Sequence, residues 1–266
     1  MGMKLHFLGV RGSTPVSGPG FTEVGGHTSC IAVSTGAGES ADVPALVLDA
    51  GTGLQTIGTT LRGRPFAGWI LLTHLHWDHV QGLPFAPPLD RDDARVVLAQ
   101  PAQGDPAAVL ARAMSPPHFP ITAAELHGDW SQLALEPGKH QLGRFEVLAL
   151  DVEHKGGRAY GYRVSAEGTS FAYVPDALDA NEDALLELAT GVDVLVRGAP
   201  FVTSESERAV LFGHGTAEAA AAIARRAGAG RLVLTHHAPN RTDADVFAIA
   251  GRLGATAAIE GMTLDV

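Results

Sequence analysis

The sequence is poor in the features that mark secreted and membrane-spanning proteins. Its 266 residues include a single cysteine, Cys30, which excludes an intramolecular disulfide framework and fits a reducing compartment. No apolar stretch approaches the ~18 residues of a membrane-spanning helix. The apolar run near the N-terminus is too short for a signal peptide. We therefore expect a cytoplasmic protein without membrane contact.

Positive charge is also scarce. The chain has 19 lysines and arginines against 29 aspartates and glutamates, which gives a formal net charge of −10. A protein that coats nucleic acid needs a basic face to neutralise phosphates. The charge balance therefore argues against long nucleic acid as a partner, but it leaves room for a site that binds a small phosphate ester.

What the chain does have is enough apolar sequence for a substantial core. Hydrophobic residues make up 45% and charged residues 18% of the chain, and 32 glycines and 16 prolines are spread along it. The sequence has no internal repeat, linker or low-complexity tract, so we expect a single domain over 1–266. Strands followed by helices in both halves predict an α/β fold with two packed sheets and outer helices.

Apolar periodicity and turn residues predict the main elements. Strands are expected at 4–10, 31–34, 44–49, 69–72, 96–99, 145–152, 160–164, 170–174, 192–196, 231–235 and 257–259. Helices are expected at 54–61, 105–114, 181–190, 216–227 and 243–253. Thr216 is expected to cap the fourth of these helices, and Gly228 to end it.

The most informative stretch is 73–79, Thr-His-Leu-His-Trp-Asp-His, which follows a short apolar strand and precedes a turn. Imidazole and carboxylate groups are the ligands that zinc and similar divalent ions prefer. In an extended turn, His74 and His76 point the same way. We therefore expect two metal ions, with His74 and His76 on one and Asp78 and His79 on the other.

The H-x-H-x-D-H pattern after an apolar strand resembles the metallo-β-lactamase fold superfamily, and the resemblance extends from Leu8 to Pro239. It implies an αββα four-layer sandwich. It also implies that His154 completes the first metal set and that Asp176 bridges the two ions. His236 is implied as the last ligand of the second ion, but an alignment shift of one residue would give that role to His237.

Four further positions have alternative roles. Asp49, before a Gly-Thr-Gly turn, is implied to brace the metal loop by accepting a hydrogen bond from a ligand histidine; the alternative is an ordinary turn aspartate. His27 either faces the site or is a neutral substitution at this position. Arg11 contacts phosphate or forms a surface salt bridge. Trp77 is expected to pack against the protein rather than stack on a substrate.

His214, within Phe-Gly-His-Gly-Thr at 212–216, resembles the phosphodiesterase-like branch of the superfamily. That branch includes the ribonuclease Z enzymes and small cyclic-phosphate esterases, in which this histidine faces the scissile phosphate. An imidazole can protonate a leaving alkoxide or hold a phosphoryl oxygen. The alternative is a histidine at a helix start that bonds only to backbone.

We therefore expect a dinuclear metal-dependent hydrolase that cleaves a small or cyclic phosphodiester through a metal-bridging hydroxide. The expected cofactors are two divalent ions, zinc first, with manganese or iron as alternatives. Asp78, Asp176 and His214 are the expected catalytic side chains, and a homodimer is left open. The rival functions are hydrolysis of a lactone, thioester or β-lactam at the same site, and a catalytically slow metal-binding sensor. The His214 motif argues against a β-lactam.

Overall fold

The structure, a computed structural model, describes residues 2–36 and 42–266. Its strands, in chain order, are β1 Met3–Gly9, β2 Cys30–Thr35, β3 Leu46–Leu48, β4 Ala67–Leu71, β5 Arg95–Pro101, β6 Asp129–Leu135, β7 Gly138–Leu142, β8 Phe145–Val152, β9 Ala159–Ala166, β10 Thr169–Val174, β11 Val194–Gly198, β12 Arg231–Thr235, β13 Thr256–Ala257 and β14 Thr263–Asp265. Its α-helices are α1 Gly58–Leu61, α2 Trp77–Val80, α3 Pro106–Ala111, α4 Glu182–Ala189, α5 Ser206–Phe212, α6 Ala217–Ala227 and α7 Asp243–Leu253. Short 3₁₀ turns occupy Thr52–Thr56, Leu83–Phe85, Ala123–Glu125 and Thr203–Glu205.

The strands form two seven-stranded sheets of similar plan. The order of the first is β14-β1-β2-β3-β4-β5-β6, and that of the second is β13-β12-β11-β10-β9-β8-β7. In the first sheet, pairing is antiparallel from β14 to β3 and parallel from β3 to β6. In the second, it is antiparallel from β7 to β10 and parallel from β10 to β13. Each sheet is therefore mixed.

The main core lies between the sheets because alternate side chains of each strand point inward. In β3, Leu46 and Leu48 belong to a buried cluster that also contains Phe145 and Tyr162 of the second sheet. The residue between them, Val47, points outward into a separate cluster. One apolar face of each sheet is thus buried against the other sheet.

Helices cover the outer faces of both sheets. Outside the first sheet, Leu61 of α1 and Leu110 of α3 pack in one buried cluster with strand residues of β4 and β5. Outside the second, Leu185 of α4 and Ile223 of α6 pack on residues of β10 and β11, and Ala250 of α7 packs beside α6 and β12. The predicted αββα four-layer sandwich is confirmed.

The predicted ends of α6 have the expected chemistry. The Thr216 side chain accepts a hydrogen bond from the backbone N–H of Ala219, and Gly228 has a left-handed φ of 65°. The helix can therefore end sharply, because a residue with a Cβ would be strained there. No helix in the described part of the chain has the length and apolar character needed to cross a bilayer.

Five elements were not predicted, namely α2, α5, β6, β7 and β14. β6 and β7 are edge strands with many exposed residues, so their sequences lack the apolar alternation of a half-buried strand. α5 buries only Ala209 and leaves three large hydrophobic residues exposed at its C-terminal end. Its sequence therefore has no face that predicts a packed helix.

Candidate metal centre

Loops at the ends of four strands bring the predicted metal-binding residues together. His74 to His79 follow β4, whose last residue is Leu71, and α2 begins within this loop. His154 follows β8, Asp176 follows β10 and His236 follows β12. The strands β8, β10 and β12 run in the same direction in the second sheet, so their carboxyl ends meet at one edge.

The side chains form two groups of four that share Asp176. The first consists of His74, His76, His154 and Asp176, and the second of Asp78, His79, Asp176 and His236. Within each group, one nitrogen or oxygen atom per residue lies within 4.8 Å of the others. The sequence-based prediction likewise assigned His74 and His76 to one ion and Asp78 and His79 to the other.

Two of the histidines are oriented by hydrogen bonds from their other ring nitrogen. His79 donates from Nδ1 to Asp49 Oδ2 at 2.8 Å, and His154 donates from Nδ1 to the carbonyl of Gly213 at 2.7 Å. Each bond fixes the tautomer and turns Nε2 toward the centre of the group. Such partners are typical of histidines that bind metals.

Asp49 is fully buried, and each of its hydrogen-bond partners donates to its carboxylate. Oδ1 accepts from the backbone N–H of Thr73 at 2.7 Å, and the Thr73 hydroxyl lies 2.9 Å from the same oxygen. Oδ2 accepts from His79 and, at 2.9 Å, from the hydroxyl of Tyr173. Asp49 thereby ties the loop after β4 to β10 of the opposite sheet.

The donor atoms that face the centre fit divalent ions. Among the described residues, the buried atoms His74 Nε2, His79 Nε2 and Asp176 Oδ1 have no hydrogen-bond partner. Leaving a buried polar atom unpaired is costly, and a cation supplies the missing partner. Nitrogen and carboxylate donors in sets of four suit zinc and neighbouring transition metals.

In the second group, the carboxylates and the histidines stabilise each other's charged forms. Burial alone would raise the pKa of Asp176, but His236 and His79 hold that pKa well below its usual value. Burial alone would lower the pKa of His236, yet Asp176 raises it to about 9. Asp78 and Asp49 likewise raise the pKa of His79 against the effect of burial. Because a protonated imidazole cannot coordinate, metal binding here must release protons.

The two adjacent histidines after β12 face different ways. His236 points Nε2 at the centre, 3.0 Å from Asp176 Oδ1 and 3.2 Å from Asp78 Oδ2. His237 points Nε2 at the carbonyl of Ala258, 3.1 Å away, and burial lowers its pKa to about 3. His236 has a left-handed φ of 53° and packs against Gly12, where an added Cβ would lie 2.3 Å from the imidazole ring.

His214 lies beside the two groups. Its Nδ1 is 3.5 Å from Asp176 Oδ1, and its ring centroid is 5.1 Å from that of His154 and 5.3 Å from that of His236. Burial lowers the pKa of His214 to about 4. The loop that carries His214 leads into α6, so the side chain stands at the wall of the site rather than inside either group.

A buried arginine holds the loops on this side. Arg197 donates to the carbonyls of Val174 and Ala177, on either side of Asp176, at 3.3 and 2.9 Å. It also donates to Asp179 at 3.2 Å. The Asp179 carboxylate in turn accepts from the backbone N–H that precedes α6 and would collide with any Cβ at residue 215. The loop after β10 and the loop before α6 are therefore joined.

The groups open into a cavity of about 780 Å³, here called the central cavity. His76, Asp78, His154, Asp176, His214 and His236 are among its lining residues. Its outer wall includes Arg208 and Phe212 of α5 and also Phe201, whose ring lies 5.8 Å below the Arg208 guanidinium. In the described part of the chain Arg208 has no ion-pair partner. The cavity thus combines an acidic and imidazole floor with a basic and aromatic rim.

The structure corrects the expectation for Trp77 and decides between the alternative roles of His27 and Arg11. Trp77 does not pack into the protein, since 74% of it is exposed at the mouth of the cavity. His27 turns away toward Thr52 Oγ1, 3.2 Å from its Nδ1, and does not line the cavity. Arg11 is fully buried and pairs with Asp243 at 3.2 Å, so it is not available to phosphate.

Sequence reasoning missed several residues of the site. The backbone N–H of Ser13 donates to Asp78 Oδ2 at 2.6 Å, and Tyr173 donates to Asp49. Arg197 and Arg208 were also missed. Tyr173 and Arg197 lie in apolar strand sequences that signal only burial, and α5, which carries Arg208, was not predicted.

Residues 46–237 match the protein family described as "Beta-lactamase superfamily domain". The matched segment runs from β3 to His237 and so contains every residue of both donor groups. The chain belongs to the metallo-β-lactamase superfamily. The resemblance drawn from the H-x-H-x-D-H pattern is confirmed, and the chain is a hydrolase of this superfamily.

Curated and solved members of the superfamily are similar over most of the chain. A "Ribonuclease Z" of Haloarcula marismortui is 26% identical, covering 89% of this chain and 86% of the relative. The metallo-β-lactamase fold protein YhfI from Bacillus subtilis has a TM-score of 0.77 at 18% identity, over 99% of each chain. A diphosphatase from the PhnP family has a TM-score of 0.74 at 20% identity, over 99% of this chain and 98% of that one. Because their sequence identities to this chain are low, the two solved structures support the shared fold alone.

Proposed function

We propose that this chain is a dinuclear metal-dependent phosphodiesterase that acts on a small or cyclic phosphodiester. The observation that carries the proposal is the pair of donor groups sharing Asp176 on the floor of a cavity that also presents His214 and Arg208. A phosphodiester is an anion with a charged, tetrahedral centre. The cavity offers such a group cationic and imidazole partners on several sides.

The donor groups are proposed to hold one ion each. His74, His76 and His154 hold the first, and Asp78, His79 and His236 hold the second, with Asp176 contributing to both. Zinc is the proposed metal, with manganese or iron as alternatives, because imidazole donors predominate over carboxylates in the two groups. Bound there, two such ions supply Lewis-acid polarisation of a phosphoryl oxygen and an activated water.

The remaining polar side chains of the cavity are proposed to act on the substrate. His214 faces the scissile phosphate, where it holds a phosphoryl oxygen or protonates the leaving oxygen. Burial favours the neutral imidazole, so the second role requires the bound phosphate anion to raise the pKa of His214. Arg208 carries a guanidinium that can pair with a phosphate oxygen. Asp78 and Asp176 are proposed to position the attacking water relative to the ions. Asp78 is itself held by a hydrogen bond from the backbone N–H of Ser13. Asp49 maintains the His79 tautomer, and His237 supports the loop that carries His236.

A small substrate is favoured over a long nucleic acid. The net charge of −10 would repel an extended phosphate backbone outside the cavity. Arg208 instead lines the central cavity, and Arg112, Lys155 and Arg158 line an adjoining recess, where a small anion would enter. We further propose that 1–266 act as a single domain, since both sheets share one core and both contribute donors.

Metal content is the first test. Fully metallated protein should contain up to two divalent ions per chain, because two donor groups are present. Elemental analysis after dialysis measures this directly. A firm limit of one ion per chain would contradict the dinuclear site and with it the bridging role of Asp176, and a maximum well below one ion would contradict metal binding at either group.

A substrate panel tests the bond that is cleaved. Bis-p-nitrophenyl phosphate and a nucleoside 2′,3′-cyclic phosphate should be hydrolysed faster than a β-lactam, a thioester or a lactone at equal metal content. A precursor transfer RNA belongs in the panel because a relative is named "Ribonuclease Z". Faster turnover of a carbon-centred ester would overturn the phosphodiesterase assignment. Faster turnover of the RNA would overturn the preference for a small substrate, and no turnover at all would favour a sensor.

A further inference from the structure

Exposed aromatic side chains gather around the mouth of the central cavity. Trp77 and Phe212, which are 74% and 50% exposed, line the cavity itself. Phe85, which is 55% exposed, lines a neighbouring groove. Single exposed hydrophobic residues are ordinary on protein surfaces, whereas a contiguous group of them marks a binding surface.

The neighbouring groove, here called the aromatic groove, has a volume of about 440 Å³. Its lining includes Trp77, Leu83, Phe85, Met114 and Phe119, with Arg112 at its edge. None of the side chains in the two donor groups lines it. Its size falls within the roughly 300–1,000 Å³ of small-molecule sites, so it can hold a group of its own beside the reacting centre.

Trp77 connects this groove to the proposed metal centre. The side chain lines the central cavity, the aromatic groove and a third recess of about 230 Å³ that contains His76, Lys155 and Arg158. In sequence Trp77 stands between His76 and Asp78, one from each donor group. A group attached to a phosphorus atom at the centre therefore needs to pass only over the indole ring to enter the aromatic groove.

We propose that the aromatic groove binds an aromatic ester group of the phosphodiester substrate, with the indole of Trp77 as the stacking surface. This inference rests on the proposed function and names its substrate class. The groove presents three aromatic rings, and those of Phe85 and Phe119 meet edge to face with centroids 5.8 Å apart. Such rings favour a planar aromatic partner over a flexible alkyl chain.

The charges around the groove fit an aromatic group that is attached to an anion. Arg112 lines both the groove and the third recess, and no ion-pair partner for it is found in residues 2–36 and 42–266. Lys155 lies in the same recess, and its ammonium donates only to the carbonyl of Leu211, at 3.1 Å. In a chain of net charge −10 these cations attract a phosphate, while the groove accepts its apolar substituent.

Binding to metal-free protein tests the groove without any turnover. The probes are diphenyl phosphate, di-n-butyl phosphate and diethyl phosphate, which share one negative charge and differ in their ester groups. Affinity is measured by calorimetry. The chain has three tryptophans, so the change in emission that is absent from Trp77→Ala reports on Trp77. Diphenyl phosphate should bind about 10-fold more tightly than di-n-butyl phosphate, given the usual worth of stacking on an aromatic side chain. Its binding should also shift the emission of the exposed indole.

Matched variants locate the effect. Trp77→Ala should weaken diphenyl phosphate binding about 10-fold or more, and Phe85→Ala should weaken it a few-fold, while diethyl phosphate is little affected by either change. Trp77→Phe should restore most of the affinity because it keeps an aromatic face. Phe247→Ala is the control, since Phe247 is also exposed, at 40%, but lies on α7 outside the groove and the central cavity.

Kinetics with metallated protein complete the test. For bis-p-nitrophenyl phosphate, the loss in Trp77→Ala should fall on KM rather than kcat, because stacking holds substrate and transition state alike. Equal affinity for the phenyl and butyl diesters, or equal losses in Phe247→Ala and Trp77→Ala, would overturn the groove assignment. Failure of every phosphodiester to be hydrolysed, with Trp77-dependent binding of diphenyl phosphate intact, would instead overturn the proposed function and leave an aromatic-anion site.

Discussion

Replacing Asp49 by asparagine tests how the loop after β4 is held. Asparagine has nearly the same shape, and it tolerates the left-handed backbone of this residue, whose φ is 59°. The substitution therefore changes the chemistry without a cavity or backbone strain. Asp49 accepts from the backbone and hydroxyl of Thr73, from His79 and from Tyr173, so its environment consists of donors.

The amide of asparagine cannot accept on both sides. If its oxygen takes the position of Oδ1 and keeps the bond from Thr73, its NH₂ group meets the Nδ1–H of His79 and the hydroxyl of Tyr173. The tyrosine can rotate its hydrogen away and accept. His79 must either lose its partner or move its proton to Nε2, the nitrogen that faces the donor group. The wrong tautomer would block coordination.

The expected loss follows from these contacts. Removing the charge weakens bonds that contribute about 1.5–3 kcal/mol each when an ionised group takes part, and two of them are disrupted. The free energy of unfolding of the metal-free protein should therefore fall by about 3–5 kcal/mol. Urea titration followed by circular dichroism measures this change. Metal affinity, measured separately, should fall as well because His79 is misaligned.

Tyr173→Phe is the matched control, since it removes one donor to Asp49 and leaves His79 in place. It should lower the free energy of unfolding by about 1–2 kcal/mol with metal content unchanged. The reasoning fails if Asp49→Asn is no more damaging than Tyr173→Phe, or if Asp49→Asn binds metal with the affinity of the original protein.

Four other substitutions separate the roles of neighbouring residues. Asp176→Ala should lose metal as well as turnover, because it removes the carboxylate shared by both donor groups, whereas His214→Ala should keep its metal and lose about 10²–10⁴-fold in turnover of an unactivated diester. Elemental analysis with rates on a p-nitrophenyl and an alkyl diester measures both, and metal loss in His214→Ala would make that residue a ligand. Gly12→Ala should reduce metal content, because its Cβ would lie 2.3 Å from the ring of His236; unchanged content would show that the ring moves freely. Arg197→Met should lower the free energy of unfolding by about 3 kcal/mol, because a buried donor to two carbonyls and a carboxylate is lost, and an unchanged urea midpoint would contradict this.

The parts of the fold that follow from local sequence were predictable. Strands buried on a face, such as β8, alternate clearly, and α6 carries its own N-terminal cap at Thr216 and a glycine at its end. The donor residues near β4 could be recognised because four ligand-type side chains in a short loop have no ordinary structural use. His154, Asp176 and His236 are isolated in sequence, and only the resemblance to a known family suggested them.

The parts that depend on tertiary contacts were not predictable. The choice between His236 and His237 depends on which ring faces Asp176 and which meets the carbonyl of Ala258. The exposure of Trp77 depends on how the single turn of α2 is placed against the cavity. Edge strands such as β6 are specified by pairing with a neighbour rather than by an apolar face of their own.

Apart from Trp77, which stands in the donor loop, the residues of the aromatic groove and those of the donor groups occupy different stretches of the chain. The groove is lined largely by two short segments, 80–85 and 110–119, that flank β5, whereas the donors stand in the loops after β4, β8, β10 and β12. Substitutions of exposed groove residues such as Phe85 and Arg112 can therefore alter which substrate is accepted, whereas Leu83 and Leu110 in the same segments belong to the core packed on the first sheet. Substrate recognition and bond cleavage thus depend largely on different residues. Protein engineers can randomise the exposed groove residues without changing the donor groups.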